Sequence, residues 1–166
     1  MSKGINILFE EYKKIKENDA LSQIGGIVNL INKDILHWEA RLKGPKNTPF
    51  ENGLFILEMK FSPSYPYESP LVQMRTPTLH PNINDKNGNI CISYLSNWKK
   101  DYNIIGILYA IFELLAHPNF DNAYYPSFRG IDKSCFFRKA SKMTMKYAVE
   151  GQSYGNNWDM GWSNEI

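Results

Sequence analysis

The run from Asn103 to Ala116 constrains this chain more than any other segment. It carries Ile104, Ile105, Ile107, Leu108, Ile111, Phe112, Leu114 and Leu115, apolar nearly all the way round a helix. Such a helix has almost no face to offer water, so it belongs in a core. Asn103 is suited to cap its start, and Pro118 marks its end.

The segments before it read differently. Residues 5–17 set Ile5, Leu8, Phe9, Tyr12 and Ile15 among charges at three- and four-residue spacing, which predicts an amphipathic helix stopped near Asn18-Asp19. Four strand-like runs follow, at 24–31, 35–42, 54–61 and 71–75, with Gly25-Gly26 weakening the start of the first. In the third, Leu54, Ile56 and Glu58 fall on one side, and Phe55, Leu57 and Met59 on the other. Turn chemistry separates the runs, and residues 62–70 hold three prolines and must be irregular. Consecutive strands with such connections predict an antiparallel meander. Residues 76–93 contain Pro77, Pro81 and Gly88 and no clear period; loops of that length are functional or disordered. A more basic helix is expected over 134–149.

The expected fold is therefore α/β of the α+β kind: an N-terminal helix, a four-stranded antiparallel meander, a buried central helix and a C-terminal helix. Residues 1–149 are expected to form one domain, and 150–166 a poorly ordered extension. A net charge of +2 gives no electrostatic footprint for nucleic acid. No stretch approaches the roughly 18 consecutive apolar residues of a membrane span. The first residues do not read as a secretory signal. The expectation is a soluble protein of the cytoplasm or nucleus, where both thiols stay reduced.

Few residues offer chemistry. There is no C-x-x-C pair, no zinc-ligand spacing and no phosphate-binding glycine loop. Cys91 ends the long loop, after the polar turn Asp85-Lys86-Asn87-Gly88. A free cysteine is often a buried small hydrophobe. A thiol on a shaped loop can also take and give acyl groups, since thiolate is both nucleophile and leaving group. Cys135 is expected to be a packed helical residue with nothing beside it to activate it. His37, His80 and His117 carry no recognisable cysteine-protease signature.

His80-Pro81-Asn82-Ile83, a turn with Gly88, and then Ile90-Cys91-Ile92 resemble the active-site signature of ubiquitin-conjugating enzymes. The resemblance runs over residues 5–149 and includes Trp38, Gly44-Pro45, Thr48-Pro49-Phe50, Tyr65-Pro66, Trp98, Pro118-Asn119 and Lys146-Tyr147-Ala148. It implies the UBC fold and an acyltransferase. An activating enzyme that consumes ATP would pass ubiquitin, or a ubiquitin-like modifier, to the Cys91 thiol. A substrate lysine or a ligase would then take it. No bound cofactor and no metal are implied. The implied partners are the modifier, the activating enzyme, a ligase and protein substrates. Asn82 would stabilise the oxyanion, order the loop, or do both, and His80 and Pro81 would be structural. Asn122 stands where many members have an aspartate thought to orient the incoming lysine; Asn122 can accept a hydrogen bond there but has no charge. The neighbouring Asp121 could supply it. Tyr67 matches an aromatic ligase-docking position, while Lys99-Lys100-Asp101 replaces the Ser-Pro-Ala usual in that surface. The loop from His80 to Cys91 is one residue longer than in common members. A catalytically dead scaffold of this fold and a hydrolase working through a Cys–His dyad are the alternatives from other classes.

Overall fold

The computed structural model describes residues 2–152. Helix α1 (Lys3–Glu17) leads into strands β1 (Ile27–Leu30), β2 (His37–Lys43), β3 (Leu54–Lys60) and β4 (Leu71–Met74). Helices α2 (Ser93–Ser96), α3 (Ile104–Ala116) and α4 (Lys133–Tyr147) follow. The four strands form one antiparallel sheet in sequence order. The expected α+β architecture is the one observed. Of the expected extension, residues 153–166 lie outside the described residues.

The register explains the core. Val28 pairs with Ala40, Trp38 with Met59, Leu42 with Phe55, and Leu57 with Met74. Period-two alternation puts all of these on one face, and all are buried. Trp38 is fully enclosed, edge-on to Tyr12 of α1 at 5.1 Å between centroids, with its indole N–H donating to Ile35 O at 2.6 Å. Helix α3 buries Ile104, Ile107, Leu108, Ile111 and Leu115 in the same core.

Four details differ from the expectation or add to it. The first strand starts at Ile27, because Ser22–Ile24 forms a 3-10 turn that closes at Gly25 with φ +56°. In β3 both sides are buried, including Ile56 and Glu58. Arg75, just past β4, ion-pairs with Glu58, which also meets His37 Nε2 at 2.5 Å and Lys60 Nζ at 3.2 Å. A carboxylate so surrounded can leave water without remaining unpaired. Helix α3 is buried along one face only: Ile105, Phe112 and Leu114 are half-covered, and Glu113 is exposed. Finally, α2 was invisible as a helix, since four residues carry no period.

Candidate active site

The loop before Cys91 is compact. Ile83 and Ile90 form an antiparallel bridge, and Asn84 N–H donates to Asn89 O at 2.9 Å. Gly88, at φ +72°, supplies the left-handed residue that turns the chain back. Asn84 and Asn87 side chains each accept from a backbone N–H two residues on, at 2.9 Å, so the tip is locally tied. The turn presents Cys91 half-buried, its N–H donating to Asn82 O at 2.9 Å.

His80 and Asn82 are enclosed beneath it. The His80 ring donates from Nε2 to Leu114 O at 2.9 Å and accepts at Nδ1 from Asn82 N–H at 3.0 Å. A carbonyl can only accept and a backbone N–H can only donate, which fixes one neutral tautomer. Burial holds this imidazole's pKa down at about 4. Both nitrogens are committed, so His80 cannot act as base to the Cys91 thiol, which leaves the dyad hydrolase without its histidine there.

The Asn82 side chain is a clasp. Its Nδ2 donates to Asn119 O at 2.9 Å and to Asn122 O at 3.0 Å, and its Oδ1 accepts from Asn119 N–H at 2.9 Å. The chain after α3 is thereby tied to the cysteine loop. Asn122 Nδ2 then lies 3.6 Å from Cys91 Sγ. Tyr124 N–H donates to Pro81 O at 2.9 Å. Burial, and then the charge of Cys91, raise the pKa of the Tyr124 phenol. Tyr125 hydrogen-bonds Asp85 Oδ1, and burial followed by that carboxylate pushes its phenol up to about 12. Asp85 Oδ2 is buried with no hydrogen-bond partner among the described residues.

Of the residues singled out in the sequence, Cys91, Asn82, His80, Pro81 and Asn122 converge. Asp121 is exposed and lines a groove with His117, Asn119, Phe128 and Lys133. A second groove, lined by Ile24, Lys43, Glu51, Leu54 and Phe112 among others, contains none of the candidate site residues. Asn119, Tyr124 and the Asp85–Tyr125 pair were not anticipated. A run of asparagines at 82, 119 and 122 was the only sign in the sequence, and their mutual contacts depend on tertiary folding.

The expected docking loops do meet. Trp98 donates to Pro66 O at 2.7 Å, and its ring lies 6.0 Å from Tyr65 and 5.7 Å from Tyr102. Tyr94 stacks on Tyr102 at 4.1 Å, and its hydroxyl fills the space where a side chain at Gly106 would sit. Lys99 Nζ lies 5.9 Å over the Tyr102 ring, and Lys100 and Asp101 are exposed beside it. Tyr67 is 67% exposed and so is not packed away on its neighbouring prolines. Among the described residues, no helix is long and apolar enough to cross a membrane, and no group of three or more acidic, His or Cys side chains could hold a metal ion.

A helix, a four-stranded meander, a buried helix, and a loop cysteine clasped by a His-Pro-Asn turn define the UBC class of fold. The sequence profile of ubiquitin-conjugating enzymes matches residues 7–131, and the chain belongs to that family. A protein of Acanthamoeba polyphaga mimivirus, named a probable ubiquitin-conjugating enzyme E2, is 39% identical over 120 residues, covering 71% of this chain and 75% of the relative. A crystal structure from Plasmodium yoelii, provisionally named a ubiquitin conjugating enzyme, superposes with a TM-score of 0.81 at 27% identity, over 90% of this chain and 97% of that one. A Toxoplasma gondii ubiquitin conjugating enzyme E2 domain gives 0.74 at 28% identity, over 84% and 99%.

Proposed function

We propose that this chain accepts the C-terminal carboxyl of ubiquitin as a thioester on Cys91 and passes it to a lysine amine or to a ligase. The supporting observation is the setting of Cys91: a half-exposed loop thiol, its backbone held by Asn82 and a side-chain amide 3.6 Å from its sulfur, inside the segment that matches the family. In loading, the Cys91 thiolate displaces the thiol of an activating enzyme that has already spent ATP. In discharge, an amine displaces Cys91. Neither step calls for a bound cofactor. Tyr67, Trp98 and the Lys99–Asp101 turn form the surface expected to meet a ligase. The names of the similar proteins favour ubiquitin over a related modifier, and the cytoplasm and nucleus are the expected sites of action.

Charging with activating enzyme, ATP and ubiquitin, read on a non-reducing gel, tests this. The expected result is a shifted band that disappears with added thiol and is absent from Cys91→Ala. A band with a ubiquitin-like modifier but none with ubiquitin would replace the modifier. No band with any modifier would leave the scaffold reading standing.

A further inference from the structure

We infer that Asn122 is a catalytic residue whose side-chain amide donates to the negative charge formed at the Cys91 thioester during transfer. This rests on the thioester reading above. Asn122 Nδ2 is 3.6 Å from the reacting sulfur, and an amide nitrogen only donates. Asn82, to which the resemblance gives this task, has both Nδ2 hydrogens directed at carbonyls, those of Asn119 and Asn122, and is 1% exposed. An oxyanion needs donors aimed at the place where it forms, and Asn82 in this arrangement has none to offer. His80 is equally committed.

What Asn82 does is hold the donor. Asn122 O accepts from Asn82 Nδ2 at 3.0 Å, and Asn122 N–H donates to Asn119 Oδ1 at 3.2 Å. The Asn122 backbone is thus fixed on both sides of its Cα, while its exposed side chain reaches Cys91. Asn82 and Asn119 are positioning residues, and Asn122 touches the reacting atom.

The chemistry follows. The amine lone pair forms a C–N bond to the thioester carbonyl carbon, and the carbonyl π pair moves onto oxygen. That oxyanion, two bonds from Sγ, accepts from the Asn122 amide. Its collapse restores the carbonyl and breaks the C–S bond, whose electron pair leaves on Cys91 Sγ. The surplus proton of the amine passes to water or to the departing thiolate. The donor strengthens its bond only as charge develops, which lowers the barrier rather than merely holding the ground state. An ionised carboxylate in its place would have no hydrogen to give and would set a like charge beside the oxyanion and the thiolate.

Asn122→Asp therefore separates this inference from the lysine-orienting role that the resemblance attaches to the position. Two measurements are made in a Cys135→Ala background: single-turnover discharge of the charged protein to free lysine, and alkylation of uncharged Cys91 by iodoacetamide at fixed pH. Asn122→Ala should slow discharge on the order of 100-fold, the usual loss for one oxyanion donor. Asn122→Asp should slow it at least as much, and should also slow alkylation about tenfold or more through repulsion of the thiolate. Discharge by Asn122→Asp that matches or exceeds wild type would overturn the inference, as would an alkylation rate unchanged by the aspartate. Alkylation needs no ubiquitin, so a chain that never charges yet shows the aspartate effect would refute the thioester reading while upholding the Asn122–Cys91 contact.

Discussion

Cys135 lies in the first turn of α4, its N–H bonded to Asp132 Oδ2 at 2.8 Å and its sulfur 3.9 Å from Arg138 Nη2. Cys91 lies at the end of a loop, held by a carbonyl on its N–H and facing a neutral amide. Reactive cysteines are commonly found at helix N-termini beside a cation. Arg138 sets a guanidinium 3.9 Å from the Cys135 sulfur, whereas a neutral amide lies 3.6 Å from that of Cys91. The two thiols are both half-buried, so exposure does not separate them. The difference lies in what meets the acyl group. A donor beside the carbonyl oxygen helps both directions, since each passes through the same oxyanion. Under the proposed function a carrier has to be loaded and unloaded, and Cys91 is the thiol that faces a neutral amide donor.

The largest break in this comparison would come from the cysteines themselves. Cys91→Ala should abolish the thiol-sensitive adduct, while Cys135→Ala should leave charging within about twofold, as for substitutions outside a site. Loss of charging in a folded Cys135→Ala protein would invert the comparison. Cys91→Ser should trap a thiol-resistant oxyester, because alkoxide leaves less readily than thiolate.

Next in size is the clasp. Asn82→Ala removes three hydrogen bonds that hold Asn119 and Asn122. Discharge to lysine should fall on the order of 100-fold, and the loop should become sensitive to limited proteolysis. If Asn82 acts through Asn122, the double variant Asn82→Ala/Asn122→Ala discharges no more slowly than the worse single one. Losses that multiply would mean that the two amides act independently.

A smaller effect comes from acid. His80 is neutral in the fold with a pKa near 4, against an ordinary value of 6.5. Between those values the unfolded chain binds the proton and the folded chain does not, so stability is complete above about pH 6.5 and is lost as pH falls toward 4. The loss amounts to about 3 kcal/mol. The His37 pKa is also lowered, by burial first and then by Lys60, and works in the same direction. The contribution of His80 is isolated by urea unfolding of wild type and His80→Gln at pH 7 and pH 4. The stability gap between them should shrink by about that amount. A gap independent of pH would show that His80 is not held neutral under Cys91.

Smallest is Tyr67→Ala, which should change stability by less than about 0.5 kcal/mol, since the side chain is mostly exposed. Charging on Cys91 should be unaffected, while ligase-stimulated discharge slows. A drop in melting temperature like that of a core truncation would assign Tyr67 to packing instead.

The fold was largely legible because its signals are periodic. Alternation in β3 put Phe55, Leu57 and Met59 together on one side, and that side is fully buried. Asn103 caps α3 by accepting from Gly106 N–H at 2.8 Å. The misses are local. The spacing placed Glu58 on one side of β3 with Leu54 and Ile56 but gave no sign of its partners, and only the folded sheet brings Arg75, His37 and Lys60 around it. At the site, the motif located Cys91, Asn82 and His80, but residue types do not say where an amide's hydrogens go. Asn82 and Asn122 are both amides; the tertiary path of the chain from α3 to α4 directs one at carbonyls and the other at sulfur. By contrast, Arg138 sits three residues from Cys135, a spacing that places two helical side chains on one face, and so was readable in advance.

The most direct test sets the two thiols against each other in the unaltered protein. The chain is charged in a single turnover with activating enzyme, ATP and ubiquitin, digested under acidic, non-reducing conditions, and the modified peptide is identified by mass spectrometry. The result expected from a thiol chosen by the donor at its acyl group is a ubiquitin remnant on the Cys91 peptide, with Cys135 recovered free. A remnant on Cys135, or on lysine with Cys91 unmodified at every time point, would contradict it.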